Sequence, residues 1–253
     1  MNKYSPNYHA LSRAYSELKP FSDKQRWEFD NNLAHLDFLT SNLSKTGLIL
    51  DSGSYIGILA LALKFLGYTV DGSDKFLFIP DNPFYVSNIT ELKRIWDKHG
   101  LRVINQDVLH NPPIKLYDTV LSVAVIEHQP YPRLYLEGLK RCVKSKGVIY
   151  VATPNVANLA NRMRFLLGRP PVHNTRQYFL EGDKFNGHWR EYTLGELKEM
   201  FVLADIQTMA SRTCQSMRPK LGRFNKIPLG ITRIMAHLVE SWGDTNQILG
   251  QVA

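Results

Sequence analysis

The chain has 253 residues, enough for one well-cored domain with additions, and 44% of them are hydrophobic, as in an ordinary globular protein. A formal net charge of +8 favours an acidic partner (nucleic acid, a phosphorylated small molecule or an anionic membrane surface) without choosing among them. Two cysteines, Cys142 and Cys214, exclude a disulfide framework and a four-thiolate metal site; no run approaches the ~20 apolar residues of a membrane span, the N-terminus lacks a signal peptide's apolar core, and cytoplasmic, reducing surroundings are expected.

Residues 1 to 44 read as helical and polar, with Trp27, Phe29, Leu33 and Leu36 as anchors. Gly47 to Leu50 is almost wholly apolar, the pattern of a central parallel strand buried on both faces. Ile58 to Leu66 reads as a helix that is apolar nearly all round and ended by Gly67, and Tyr68 to Gly72 as a second strand. A helix with a polar start near Asn88 runs to Gly100. "LRVINQD" is a third strand, "YDTVLSVAVIEH" a fourth leading into the helix "YPRLYLEGLKRCVKS", and "GVIYVATPN" a fifth. Strands alternating with helices of this length predict an α/β fold: a doubly wound, mostly parallel sheet with helices on both faces.

After Asn155 the alternation breaks. "VANLANRMRFLLGRPP" reads as an extra amphipathic helix stopped by Gly168 and Pro170, and a loop rich in His, Tyr and Arg follows. The core resumes at "TLGELKEMF", where Thr193 and Glu196 have capping-box spacing, with further strands expected near Ile206 to Met209 and Thr213 to Met217. Three parts are thus expected: an N-terminal helical segment (1–44), a sheet domain (45–217) with a cap insertion after strand five (156–192), and a basic amphipathic C-terminal segment (218–253). Both Gly138 to Leu180 and Ile206 to Val239 lack any acid while carrying many Lys and Arg, so the second half holds the positive field.

In a doubly wound sheet, ligands sit beyond the C-terminal strand ends. Asp51, Asp74, Asp107 and Glu127 fall at or just past such ends on consecutive strands, and carboxylates there need partners. A dinucleotide turn requires glycines two and five residues after Gly53, where Tyr55 and Ile58 stand, and no Gly-Lys-Ser/Thr phosphate loop is present. In Asp-x-Gly-x-x-x-Gly the acid precedes the first glycine. It would repel a pyrophosphate and suit an ammonium or sulfonium ligand.

The stretches "LILDSGSYIG", "VDGSD", "INQDVL", "YDTVLSVAVIEHQPYP", "LKRCVKSKG", "VIYVATPN" and "HWREYTLGELKEMF" run in order over roughly Leu48 to Ile206. Together they resemble the class I S-adenosylmethionine-dependent methyltransferases, most closely the small-molecule branch of quinone, sugar and natural-product O-methyltransferases. The resemblance implies a Rossmann-like methyltransferase fold with S-adenosylmethionine as cofactor. It places the turn residues Asp51, Gly53, Ser54, Tyr55 and Gly57 at the methionine moiety and Asp74 on the ribose hydroxyls. Asp107 with the Val108 backbone would read the adenine edge, and Ser122 and Val123 would lie under the methionine. Tyr55 departs from the family's Asp-x-Gly-x-Gly-x-Gly; a positive φ there would cost a tyrosine about 1 kcal/mol or more.

Transfer to a hydroxyl needs a proton acceptor. His128 beyond strand four and His188 in "GHWREYT" are the two candidates; their bland readings are a cap of the next helix, shared with Glu127, and a solvated loop histidine. No residues have zinc-ligand spacing, and no metal is expected. Arg176, Trp189, Arg190 and Tyr192 are candidate acceptor contacts, arginine for phosphate or carboxylate and the aromatics to exclude water. "HNPPIK" precedes strand four instead of ending it and reads as a turn, not as a nucleic-acid amino-methyltransferase signature. The resulting expectation is methylation, on oxygen, of a small acidic, phosphorylated or lipid-linked acceptor. Its alternatives are an RNA methyltransferase and a non-catalytic methyltransferase-fold binding protein with peripheral membrane contact through Leu221 to Trp242.

Overall fold

The computed structural model describes residues 4–19, 21–75, 83–113, 115–171, 175–182, 185, 187–216 and 239–253. Most of the basic segment from 218 onward, including the start of the proposed membrane contact, lies outside the described residues. None of the described helices is long and apolar enough to cross a membrane.

Seven strands form one sheet: β1 (Leu48–Ser52), β2 (Thr69–Ser73), β3 (Arg102–Ile104), β4 (Tyr117–Val123), β5 (Val143–Pro154), β6 (Ile206–Cys214) and β7 (Thr245–Val252), in spatial order β3-β2-β1-β4-β5-β7-β6. The first five are parallel, and β7 runs antiparallel between β5 and β6. The chain order reverses between β1 and β4. That switch opens a crevice at their C-terminal ends, the usual ligand position in such sheets.

The pleat divides the core in two. Ile49, Val70, Leu121, Tyr150 and Leu249 face a cluster built with α1 (Pro6–Glu17), α2 (Phe29–Asn42), α3 (Ile58–Phe65) and α4 (Pro83–Lys98). Leu50, Val120, Ile149, Val151 and Ile248 face the other, with α5 (Pro132–Cys142) and the later helix α8 (Leu194–Leu203). Of the N-terminal anchors, Phe29, Leu33 and Leu36 are buried, whereas Trp27 is 61% exposed.

In the cap, α6 (Leu159–Leu166) is capped by the Asn158 side chain, and α7 (Thr175–Glu181) stands where the sequence suggested only loop. At α8 the capping box is complete: Thr193 accepts from the Glu196 amide while the Glu196 carboxylate accepts from the Thr193 amide. The two expected late strands are one continuous strand, β6. The sheet also does not end at residue 217, because β7 fills an interior slot. Its polar residues are buried and paired: Asn246 donates to the Tyr192 carbonyl, and Gln247 meets His35 and Arg212.

Candidate functional site at the strand ends

The turn after β1 is left-handed at three points, Gly53 (φ 79°), Tyr55 (φ 50°) and Gly57 (φ 84°). A Cβ on Gly53 would stand 2.4 Å from a methyl of Val125, just past β4, so glycine is required there by both conformation and space. Tyr55 occupies the conformation that costs an L-residue about 1 kcal/mol or more. Its amide donates to Asp74 Oδ2 at 2.8 Å, which offsets that strain. Trp96 of α4 props the turn from below, its indole donating to the Ile56 carbonyl.

Donors in this turn point into the protein. Gly53 and Ser54 amides both donate to the Ser73 carbonyl, Tyr55 to Asp74, and Gly57 to Ser54. A phosphate-cradling loop needs such amides aimed at the ligand. Here Asp51 and Asp74 stand buried at adjacent strand ends instead. Burial first, and the Asp74 charge second, push the Asp51 carboxyl up to about 7. A cationic ligand would relieve both effects.

Asp107, past β3, is held by three partners: its own turn through the Leu109 amide, Lys75 Nζ at 3.0 Å and His110 Nδ1 at 3.0 Å. Lys75 thereby ties the loop after β3 to that after β2. Val108 is buried, and its backbone carbonyl lies against Gly138 of α5 and accepts from the Arg141 guanidinium at 3.4 Å. Ser122 turns its side chain away from the crevice. Its hydroxyl is fully buried and bonded to Tyr135 OH on α5 at 2.9 Å, so its side chain braces the sheet. Val123, the next residue in the pleat, is half-buried on the opposite face.

Beyond β4 a 3-10 turn (Ile126–His128) presents Glu127 and His128. Neither caps α5, whose N-cap is Tyr131 with Pro132 in the first turn. Glu127 is instead wholly buried. Its Oε2 accepts from the Thr153 hydroxyl at 2.9 Å, and burial raises the carboxyl to about 7. Its carbonyl accepts from the Trp189 and Arg190 amides, so the cap strap 187–190 is laced onto this turn. That lacing brings the two candidate bases together: the His128 and His188 rings lie edge to face with centroids 4.7 Å apart. His128 Nδ1 contacts the Gly187 carbonyl at 3.1 Å, and His188 Nδ1 contacts Glu191 at 3.0 Å. The Glu191 hydrogen bond raises the His188 pKa above its ordinary value.

Trp189 packs edge-on against Tyr178 and Phe185, and with His188 and Thr175 these line a cavity of 240 Å³. The other acceptor candidates are placed differently. Tyr192 is buried in the core beneath α8 and bridges to Asn155. Arg190 is spent on Glu196 and lies over the Tyr192 ring, while Arg176 is exposed on α7. The sequence named His128 and His188 separately and placed Glu127 among the strand-end carboxylates, with helix capping as its bland reading, but did not join the three. The repeated histidine chemistry near the strand end was the one available signal.

Comparison with known proteins bears on this geometry. A family model described as a methyltransferase domain matches residues 25–207. A ubiquinone biosynthesis O-methyltransferase of Pseudomonas savastanoi pv. phaseolicola is 26% identical over 141 residues, 55% of this chain and 56% of that protein. The chain thus spans about half the length of the curated relatives it matches. Among solved structures, a Burkholderia thailandensis 1,6-didemethyltoxoflavin-N1-methyltransferase, with bound 1,6-didemethyltoxoflavin and S-adenosylhomocysteine, superposes with a TM-score of 0.59 at 16% identity, covering 100% of this chain and 92% of its own. A possible histamine N-methyltransferase from Thermotoga maritima gives 0.58 at 17% identity, covering 98% and 100%. At these identities the likeness is one of fold.

Proposed function

The chain belongs to the methyltransferase-domain family of S-adenosylmethionine-dependent enzymes, and from that premise we propose that it methylates an oxygen of a small acceptor held between the end of β4 and the cap. The observation that carries the reading is the turn after β1. Its amides are closed on the protein while the Asp51 and Asp74 carboxylates remain beside it, an arrangement for a cation and not for a pyrophosphate. When bound, the cofactor supplies an electrophilic methyl carbon on a cationic sulfur.

In this reading the chain's own residues do four things. Gly53 and Gly57 let the backbone approach closely, and Asp74, already fixed by the Tyr55 amide, accepts the ribose hydroxyls. A carboxylate offers about four lone-pair sites, so that one bond leaves room for others. Trp189, Phe185 and Tyr178 cover the acceptor and exclude water from the transferring methyl. His188, oriented by Glu191, takes the acceptor's hydroxyl proton. The oxygen acceptor draws support from the ubiquinone O-methyltransferase likeness.

Asp74→Ala tests the reading. Loss of charge-assisted bonds worth about 1.5–3 kcal/mol each should weaken S-adenosylmethionine binding at least tenfold by calorimetry. Unchanged affinity would remove Asp74 from the cofactor site and the reading with it.

A further inference from the structure

Methyl transfer to a hydroxyl asks for one proton acceptor, yet the end of β4 gathers three chemically active groups. We propose that Glu127, His128 and His188 form a binding site for a divalent transition cation such as Zn²⁺, beside the acceptor cavity. One donor atom from each residue lies within 4.8 Å of the others. Binding at ~2.0–2.2 Å from each donor would draw tetrahedral donors to about 3.3–3.6 Å apart, a contraction of at most about 1.2–1.5 Å at the widest pair. The 3-10 turn and the 187–190 strap, joined through the Glu127 carbonyl, can supply it together.

Two further observations point to a ligand. Glu127 Oε1 is buried without a hydrogen-bond partner among the described residues, although its twin oxygen is bonded to Thr153. An orphaned buried carboxylate oxygen is costly, and a bound cation is one of the few things that satisfies it. Both imidazoles are also anchored at Nδ1, His128 by a backbone carbonyl and His188 by the Glu191 carboxylate. That outer arrangement fixes the ring and directs the Nε2 lone pair elsewhere, as in histidines that ligate metals. Two imidazoles and one carboxylate suit Zn²⁺ and its borderline neighbours, whereas Mg²⁺ and Ca²⁺ favour all-oxygen sets.

His188 also lines the cavity of Thr175, Tyr178, Phe185 and Trp189, so an acceptor there would meet the cation directly. An acceptor hydroxyl ligated to it becomes more acidic. With the cation bound, His188 serves as a ligand and not as the proton acceptor: the O–H bond breaks and its proton passes to solvent. The oxygen then bonds to the methyl carbon as the C–S bond breaks, its electron pair staying on sulfur. This role rests on the O-methylation reading; cation binding does not.

The test titrates tag-free, chelator-treated protein with Co²⁺, followed by its visible absorption, and then displaces it with Zn²⁺. The expected result is one Co²⁺ per chain with the bands of a four- or five-coordinate ion, all displaced by one Zn²⁺. His188→Ala and Glu127→Gln should each weaken Co²⁺ binding by more than about 100-fold, and Glu191→Gln, which removes only an orienting group, by about 10–100-fold. His110→Ala, an exposed histidine outside the cluster, should leave it unchanged. S-adenosylmethionine binding by chelated protein reports that each variant is folded, and His188→Gln repeats the measurement if His188→Ala unfolds. No saturable binding by the wild type, equal affinity in the cluster variants, or loss in His110→Ala overturns the site. Failure of S-adenosylmethionine binding with Co²⁺ binding intact leaves the cation site standing and removes methyl transfer.

Discussion

The two sides of the strand-end crevice are built in different ways. Over β1 and β2 the polar contacts are near in sequence: Tyr55 reaches Asp74 across 19 residues, and the same short βαβ unit supplies Ser73. Beyond β4 they are distant: His128 meets the strap 59 residues on, and Glu127 is satisfied at one oxygen only. The first side is built mainly within one βαβ unit, with Trp96 of α4 propping its turn. The second exists only when the cap is laced onto the 3-10 turn. Cofactor geometry is therefore preorganised by local structure, and acceptor geometry is conditional on tertiary closure.

Gly53→Ala should break the comparison most severely, because Gly53 touches both sides. A Cβ at 2.4 Å from Val125, added at φ 79°, is expected to destabilise by about 2–4 kcal/mol in urea unfolding and to abolish cofactor binding. Adding Val125→Ala should recover the steric share and leave the conformational share of about 1 kcal/mol. No recovery would mean that the two sides are not in contact there.

Asp51→Asn sharpens it through pH. The folded carboxyl sits at about 7, above its unfolded value, so its contribution is present below about 4 and is lost as pH rises through 7. The ligand-free variant should accordingly gain on the wild type between pH 5 and pH 8, by about 2–4 °C in Tm for each kcal/mol, while binding the cofactor less well. A difference independent of pH would exonerate Asp51.

His35 works in the opposite direction and away from the crevice. It is buried between α2 and the sheet, bonded to Tyr150 OH and Gln247, with the Arg212 charge nearby, and burial lowers its pKa to about 3. The unfolded chain takes up this proton below about 6.5 and the folded chain does not, so stability present above 6.5 is lost as pH falls towards 3. About 2 kcal/mol should disappear between pH 6.5 and 5. His35→Gln should flatten that limb of the Tm profile, and an equally steep limb would place the proton elsewhere.

Tyr55→Gly is the mildest change. Relief of left-handed strain is set against glycine's greater unfolded-state entropy, so stability should move by less than about 1 kcal/mol. Cofactor affinity should stay within tenfold, since the amide bond to Asp74 is kept. A larger loss would mean that the phenol ring itself touches the cofactor.

The same contrast decides what could be read from sequence. β1, α3 and β2, with their terminal acids, were legible because apolar runs, turn residues and carboxylates follow one another within 27 residues. β7 was not: "TNQILGQV" carries four polar residues, and Asn246 and Gln247 are buried through partners 33 or more residues away, such as Thr213, Tyr192 and His35. Periodicity cannot see a polar side chain that a distant neighbour satisfies. For the same reason Tyr192, an aromatic two residues after Arg190 in the expected binding strap, turned out to be core, and the meeting of His128 with His188 had no local signature.

The place of β7 carries a consequence for biosynthesis. β6 leaves the ribosome before the strand that will separate it from β5, and among the described residues its sheet partner is β7 alone. Until Thr245–Val252 has emerged, β5 is an open edge with Ile149, Tyr150 and Val151 unprotected on that side, and β6 has no sheet to join. The nascent chain thus cannot ripen segment by segment from its beginning: the central strands must wait, with an adhesive flank showing, for the last eight-residue ribbon to slide between them.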